Sequence, residues 1–234
     1  MLDLGTGARQ FGLAMGQPFD GAVFITHLHW DHIQGLPFFG PMIMPGASTT
    51  VYGPTQPGES LKEALDSFIR PPLFPVTIDA LPSAIEAVAI GEETIDLGYA
   101  SVVSRSVPHV GETNGYRVEV GDKSVAYIPD HQQPADATTV APGVRELCKD
   151  ADVLIHDAQY TPQEFVTKAD WGHCTIDYAV HVAVTCGVKQ LVLFHHDPSH
   201  HDDMLDELIA DAKVAVSGLE VEVVGAYEGL ELNV

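Results

Sequence analysis

The chain has little positive charge and no long apolar run, and each shortage excludes a class of protein. Among its 234 residues, Lys and Arg number 11 against 33 Asp and Glu, which gives a formal net charge of −22. A surface of this kind repels phosphate backbones at long range, so a large nucleic acid is a poor candidate for the substrate. It also disfavours binding to anionic membranes. No stretch approaches 18 consecutive apolar residues, so no membrane-spanning segment is expected.

Cysteine is also scarce, which bears on the cellular compartment in which the protein is found. Cys148, Cys174 and Cys186 are an odd and sparse set, and such a set fits reduced thiols better than a disulfide framework. The first ten residues, MLDLGTGARQ, lack the basic and apolar regions of a signal peptide. We therefore expect a cytoplasmic protein.

The hydrophobic pattern predicts a single α/β domain over residues 1–234. The chain is 45% hydrophobic, which is enough for one sizeable core, and no repeat, low-complexity tract or linker divides it. Short β-like runs alternate with helix-like ones. ESLKEALDSFI (59–69) reads as a helix followed by a rigid proline-rich loop (70–75), and residues 84–128 read as consecutive strands.

The segment TIDYAVHVAVTCG (175–187) reads as a further helix, with Thr175 or Asp177 as its N-cap and Gly187 as its C-terminal stop. In the second half, His156, His195 and His196 stand at the ends of apolar strands. Such strand ends are where α/β sheets collect ligands.

The segment THLHWDH, residues 26–32, places three histidines and an aspartate directly behind an apolar run. Side chains two apart on an extended segment point the same way, so His27 and His29 can bind one cation from one side. Asp31 and His32 follow as the chain turns toward a helix, and they can face a second cation. Imidazole nitrogen and carboxylate oxygen are ligands that suit zinc. The alternative is a solvated, histidine-rich surface loop.

This segment resembles the T-H-x-H-x-D-H signature of the metallo-β-lactamase superfamily. The GLP that follows it is similar to the branch of transfer-RNA maturation endonucleases and related phosphodiesterases. Four other segments resemble the remaining family motifs, in the expected order: LDLGTG (2–7), PHVGETNGYRV (108–118), VAYIPD (125–130) and LVLFHH (191–196). The resemblance implies an α/β fold, the four-layer αββα sandwich of this superfamily. Because only two residues precede Asp3, we expect the fold to lack its first N-terminal strands.

The resemblance also implies two divalent cations that share one carboxylate and a bridging hydroxide. Metals about 3.5–4 Å apart can lower the pKa of that water and stabilise a developing oxyanion. We expect zinc, with manganese or iron as alternatives, because availability decides which metal is bound. The resemblance implies that Asp31 acts in catalysis as well as binding a metal. It also implies that Asp3 contacts a ligand residue on the side away from the metal. The implied ligands are His27, His29 and His109 for one cation, Asp31, His32 and His195 for the other, and Asp130 as the bridge.

Two segments, 155–165 and 171–175, resemble the His-acidic and Gly-His-Ser-Thr motifs of the nuclease-like members. The resemblance implies that His173 contacts the scissile group and protonates the leaving oxygen, while Asp157 orients its imidazole. The alternative is that His173 merely caps the helix that follows it. This sequence departs from the motifs at Cys174, where serine is usual, and at Asp157, where glutamate is usual.

The other histidines receive no catalytic role. His181 lies in the middle of a predicted helix and is interpreted as structural. The stretch PSHHDD, which contains His200 and His201, reads as a solvated turn. The roles of three further histidines stay open: His131, His156 and His196.

The leading hypothesis is a dinuclear metal hydrolase that cleaves a small phosphodiester, either a cyclic nucleotide or a cyclic sugar phosphate. The motifs favour the phosphodiester. The acidic composition favours a small substrate, since the chain from His32 to His109 contains only Lys62, Arg70 and Arg105 and no basic arm for transfer RNA. Alternatives are an RNA-processing endonuclease, a lactonase or thioester hydrolase, and a non-catalytic metal sensor. A homodimer stays open, and no membrane partner is expected.

Overall fold

A computed structural model describes all of residues 1–234, and the chain falls into two compact units, residues 1–91 and residues 92–234. Each unit contains its own β-sheet and its own buried apolar cluster. The single domain predicted for the whole chain stays a prediction. No helix in either unit is both long enough and apolar enough to cross a membrane.

The first unit is a small parallel sheet with short helices between its strands. Its elements, in chain order, are α1 (Gly7–Met15), β1 (Asp20–Phe24), α2 (Trp30–Ile33), α3 (Gly40–Ile43), β2 (Ser48–Pro54), α4 (Leu61–Phe68) and β3 (Ala84–Ile90), with 3₁₀ turns at Leu36–Phe38 and Ile78–Ala80. The sheet order is β1–β2–β3. In the central strand, Val51 lies opposite Val23 of β1 and Ala87 of β3.

Helix α4 confirms the helix predicted in ESLKEALDSFI. Ser60 begins it with a capping box: the Ser60 hydroxyl accepts a hydrogen bond from the Glu63 amide (3.2 Å), and the Glu63 carboxylate accepts one from the Ser60 amide (2.8 Å). Helical spacing then places Leu61 and Leu65 on one face, where both are buried. Burial of each leucine contributes about 1.5–3 kcal/mol. The proline-rich stretch after the helix is irregular, as the sequence predicts.

The first residues of the chain extend this sheet beside β1. Leu2 and Phe24 form a parallel bridge. The Met1 carbonyl accepts a hydrogen bond from the Phe24 amide, and the Asp3 amide donates to the Phe24 carbonyl, both at 2.9 Å. These contacts fix Asp3 at the carboxyl end of β1, where the histidine-rich loop begins.

Two backbone segments cross this loop at very close range. The Leu4 amide donates to the His32 carbonyl (2.8 Å), and the Gly35 amide donates to the Leu4 carbonyl (2.7 Å). A Cβ atom at Gly35 would lie only 1.9 Å from the Gly5 carbonyl oxygen. Because both sides of the contact are backbone, no side-chain rotation can relieve it, and only glycine fits.

We expect Gly35→Ala to lower the free energy of unfolding by at least about 2 kcal/mol, since the added methyl must push two backbone segments apart. The matched control is Gly40→Ala. A Cβ at Gly40 meets nothing within 4 Å, so this variant should be neutral or stabilised by up to about 1 kcal/mol. Urea denaturation of both variants measures the difference. Equal stabilities would contradict a steric role for Gly35.

The second unit is a mixed seven-stranded sheet. Its elements, in chain order, are β4 (Thr94–Asp96), β5 (Ser101–Ser106), β6 (Asn114–Val120), β7 (Lys123–Ile128), α5 (Pro142–Cys148), β8 (Val153–Asp157), α6 (Pro162–Lys168), α7 (Ile176–Cys186), β9 (Gln190–Phe194), α8 (Asp202–Ala215) and β10 (Glu222–Gly225). The sheet order is β10–β9–β8–β7–β6–β5–β4. Strands β4 to β7 pair antiparallel, and β7 to β10 pair parallel.

The parallel half of this sheet positions three candidate site residues. The carboxyl ends of adjacent parallel strands lie at the same edge, so residues that follow them are brought together. Asp130 follows β7, Asp157 ends β8, and His195 follows β9. Behind this edge, α5 and α7 contact the sheet through residues such as Leu147 and Val182, which are fully buried.

Helix α7 begins and ends where the sequence predicts. Thr175 caps it, because its hydroxyl accepts a hydrogen bond from the Tyr178 amide (3.1 Å). Gly187 ends it in the left-handed conformation, with φ of +71°. Asp177, also considered as a cap, lies inside the first turn instead.

Several features of the fold were not predicted. Helix α1 was missed, and so was α6, which buries none of its residues and therefore shows no apolar stripe. The signal for α6 was its capping box, in which Thr161 and Glu164 bond reciprocally as Ser60 and Glu63 do. The strand at 84–90 was read with those that follow it, but it pairs in the first sheet.

Candidate metal centre

Four candidate ligands lie in the loop that leaves the carboxyl end of β1. His27 and His32 are buried, whereas His29 and Asp31 are exposed. Between ring centroids, His27 lies 4.4 Å from His29 and 4.2 Å from His32. The His32 Nε2 atom is 3.3 Å from Asp31 Oδ2. The first unit therefore brings all four side chains into one cluster.

Asp3 and Thr26 hold this cluster from the side of the sheet. Asp3 Oδ2 accepts hydrogen bonds from His32 Nδ1 (2.8 Å) and from the Thr26 hydroxyl (2.9 Å), and Asp3 Oδ1 accepts one from the Thr26 amide (2.7 Å). His27 Nδ1 lies 3.1 Å from the same hydroxyl. A proton on each Nδ1 leaves the Nε2 lone pair as the ligand atom. A carboxylate behind a ligating imidazole is usual in metal sites.

In the second unit, Asp130 lies between two histidines. Its Oδ2 is 3.5 Å from His109 Nε2, and its Oδ1 is 3.6 Å from His195 Nε2. His109 Nδ1 donates to the Gly172 carbonyl (2.6 Å), which places the lone pair of that ring on Nε2. The side-chain amide of Gln159, 2.7 Å from His195 Nδ1, fixes the orientation of the other ring.

The distances around Asp130 suit shared cations better than hydrogen bonds. Nitrogen–oxygen hydrogen bonds measure about 2.7–3.2 Å, whereas two ligands of a tetrahedral zinc ion, with bonds of about 2.0–2.1 Å, lie about 3.3 Å apart. The two carboxylate oxygens face different histidines, so Asp130 could ligate two ions at once. The donor atoms of Asp130, His173 and His195 all lie within 4.8 Å of one another. These nitrogen and oxygen donors fit divalent metal ions.

His173 lies beside this cluster with its ring held by Asp157. Its Nδ1 is 2.9 Å from Asp157 Oδ2 and 3.8 Å from Asp130 Oδ2. The ring stacks on that of His195, with centroids 4.9 Å apart. The alternative that His173 merely caps the following helix is wrong, because Thr175 supplies that cap.

Asp157 is fully buried and its two oxygens are saturated with donors. Oδ2 also accepts from the His131 amide (2.9 Å), and Oδ1 accepts from the Gln159 amide (3.0 Å). Burial raises the pKa of Asp157 above its ordinary value, while the hydrogen bond from His173 acts in the opposite direction. This fixed carboxyl group orients the His173 ring.

Two of the three histidines to which the sequence assigns no role form a buried pair next to Asp157. His131 Nδ1 is 3.0 Å from His156 Nε2, and His156 Nδ1 donates to the Asp157 carbonyl (2.7 Å). Burial lowers the pKa of His156 to about 4 and also lowers that of His131. Both rings are therefore neutral at neutral pH. The third, His196, directs its Nε2 to the Ala226 carbonyl (3.3 Å).

The solvated turn predicted at PSHHDD is wrong for His200. This residue is buried, and its Nε2 lies 2.9 Å from Glu164 Oε1 of α6. His201 is exposed and begins α8 as its cap, accepting a hydrogen bond from the Met204 amide (3.2 Å). His181 bonds the Thr138 carbonyl (2.8 Å), which agrees with a structural role.

The sequence reasoning missed three glutamines around the site. Gln132 and Gln133 follow Asp130 and hold the turn that carries His173. The Gln133 amide donates to the His173 carbonyl (3.1 Å), and its side-chain oxygen accepts from the Thr175 hydroxyl (2.8 Å). Gln159 holds His195, as described above. Their only sequence signal was position, because each follows Asp130 or Asp157 by two or three residues.

Comparisons with known proteins agree with this description. Residues 10–196 match the family described as the Beta-lactamase superfamily domain. Ribonuclease Z of Myxococcus xanthus (strain DK1622) is 28% identical over 272 aligned residues, which cover 100% of this chain and 87% of that protein.

Two solved structures share the fold. The metallo-beta-lactamase fold protein YhfI from Bacillus subtilis aligns with a TM-score of 0.71 and 19% identity, over 98% of this chain and 85% of that one. A diphosphatase from the PhnP family aligns with a TM-score of 0.69 and 22% identity, over 100% of this chain and 79% of that one.

The family match extends over more than half of the chain, and the structural likeness confirms the predicted metallo-β-lactamase type of α/β fold. The resemblance to the branch of transfer-RNA maturation endonucleases and phosphodiesterases is likewise confirmed. The chain therefore belongs to the β-lactamase superfamily and is a hydrolase with the metallo-β-lactamase fold.

Proposed function

We propose that this hydrolase is a dinuclear metal-dependent phosphodiesterase that cleaves a small phosphodiester, a cyclic nucleotide or a cyclic sugar phosphate. The observation that carries the proposal is the placement of Asp130 between His109 and His195, with the His173–Asp157 pair alongside. A bridging carboxylate beside an oriented imidazole suits hydrolysis of an ester with an anionic centre and a leaving oxygen.

The proposed ligand set follows the family resemblance. When bound, two divalent cations supply an activated water and stabilise negative charge on the phosphoryl oxygens. Zinc suits the imidazole-rich donors best. The proposed ligands are His27, His29 and His109 for one cation, Asp31, His32 and His195 for the other, and Asp130 for both.

In this proposal, His173 acts on the leaving oxygen. Its Nδ1 is bonded to Asp157, so a proton carried on Nε2 is the one available for donation. Asp157 keeps the ring in place and offsets the positive charge that the ring carries before donation. The stacked ring of His195 restricts movement of His173 on its other side.

The size of the substrate is inferred from charge and from one structural neighbour. The chain carries a net charge of −22, which disfavours a long polyanion. A structural neighbour that shares the fold is described as a diphosphatase. A second candidate, RNA processing, is favoured by the ribonuclease Z relative, whose similarity covers the whole of this chain.

A hydrolysis screen of zinc-loaded protein distinguishes these candidates. We expect turnover of cyclic nucleotides or cyclic sugar phosphates, and little cleavage of transfer-RNA precursors at physiological salt. Asp130→Ala, purified in parallel, controls for contaminating enzymes. Faster cleavage of the RNA precursor than of any small phosphodiester would favour RNA processing, and turnover of lactones or thioesters alone would refute both.

A further inference from the structure

Trp171 is a large aromatic side chain held in solvent beside the proposed site. It is 59% exposed and lies two residues before His173. Gly172, between them, has φ of +96°, and a Cβ there would lie 2.5 Å from the ring of His109 and 3.1 Å from a methyl of Val110. The exposed Val110 therefore adjoins the same turn, which gives the site an apolar edge.

The backbone on both sides of Trp171 is fixed by one side chain. Gln132 donates through Nε2 to the Ala169 carbonyl (2.8 Å) and accepts through Oε1 from the Gly172 amide (2.8 Å). The Trp171 amide donates to the Lys168 carbonyl (3.0 Å). An exposed ring on a backbone held this firmly loses little conformational freedom when a ligand stacks on it. More than half of the Trp171 side chain is exposed, so core packing alone does not account for it.

Lys168 adds a fixed positive charge at this edge. Its Nζ lies 5.7 Å from the Trp171 ring centroid and 4.4 Å from that of Tyr160, and Asp197 Oδ2 holds it at 2.8 Å. The Tyr160 ring packs against the ring of His173, with centroids 5.9 Å apart. An ammonium has three donors, so those not bonded to Asp197 can donate to acceptor atoms on the edge of a planar heterocycle.

We propose that Trp171 stacks on a nucleobase of the substrate, which makes the enzyme specific for nucleoside phosphodiesters over base-free sugar phosphates. This inference rests on the proposed function and names its substrate class. Residues two apart have Cα atoms at most about 7 Å from each other, a span comparable with one ribose between phosphate and base. Stacking on an aromatic side chain tolerates any base, so the preference is for the presence of a base and not for its identity.

The test compares 3′,5′-cyclic AMP with a ribose cyclic phosphate that lacks a base. We expect Trp171→Ala to lower kcat/KM for the nucleotide by about ten- to a hundred-fold and to leave the base-free substrate unchanged. Trp171→Phe should restore most of the loss. Tyr99→Ala, which removes another exposed aromatic ring (70% exposed) from the second unit, is the matched control and should change neither rate. A short single-stranded oligoribonucleotide, tested alongside, distinguishes RNA from a free nucleotide as the source of the base.

Equal losses on both substrates, or no loss on either, would overturn the role of Trp171. A direct binding measurement separates this inference from the proposed function. The chain has two tryptophans, so Trp30→Phe leaves Trp171 as the sole tryptophan reporter. AMP should quench its fluorescence saturably, while ribose 5-phosphate should not. If no phosphodiester is hydrolysed, the proposed function fails, and saturable quenching by AMP would still support stacking. Absence of quenching would reject it.

Discussion

Replacing Asp130 by alanine should abolish both metal binding and activity. Its two oxygens face His109 and His195 at distances that suit ligands of shared cations, so one substitution removes a ligand from each proposed ion. The two cations are expected to supply several kcal/mol of transition-state stabilisation, and kcat/KM should therefore fall by about a thousand-fold or more. Elemental analysis should give close to two metal ions per chain in the wild type and fewer than one in the variant.

The matched control is Asp152→Ala, which removes another largely buried carboxylate at the opposite end of β8. Asp152 bonds the Ser124 amide (2.9 Å) and Lys189 (2.7 Å) and touches no proposed ligand. This variant should lose stability yet keep its metal. His27→Ala should match Asp130→Ala, because the family resemblance makes both residues ligands of the same cation. Wild-type protein that carries no metal, although never exposed to chelator, would contradict the dinuclear site.

The elements that position the site were predictable because they combine two strong local signals. Apolar runs marked β1, β7, β8 and β9, and a candidate metal-ligating or acid–base residue stood at the end of each run. His195, which follows β9 with φ of +56°, lies beside Asp130, while His196 turns to the Ala226 carbonyl. Alignment on the strand alone favoured His195.

The parts that were missed depend on contacts between distant residues or on elements with no apolar stripe. The bond from His109 to the Gly172 carbonyl joins residues 63 positions apart, and no local pattern reports such a pairing. The side chain of Gln132 likewise spans 37 positions to reach Ala169. His200 was wrongly predicted to be solvated because its sequence neighbours are polar. It is buried and bonds to Glu164 of α6, a helix that was not predicted.

Removing the His173 side chain should slow the enzyme selectively, according to the leaving group. An alkoxide needs a proton to depart, whereas nitrophenolate leaves largely unaided. General acid catalysis is typically worth about 10²–10⁴-fold. We therefore expect His173→Ala to keep its metal, to lower kcat/KM for a cyclic nucleotide by roughly that factor, and to lower it much less for bis-nitrophenyl phosphate.

Two neighbouring variants sharpen this test. Asp157→Asn should show the same selectivity more weakly, because the amide keeps a partner near His173 Nδ1 but removes the carboxylate charge beside the ring. Cys174→Ser should be close to neutral, since Cys174 Sγ donates to the Asp157 carbonyl (3.0 Å) and a serine hydroxyl can donate there too. The decisive quantity is the ratio of kcat/KM values for the two substrates. An unchanged ratio in His173→Ala, with both rates equally reduced, would rule out leaving-group protonation and would assign His173 to binding the phosphate or holding the turn.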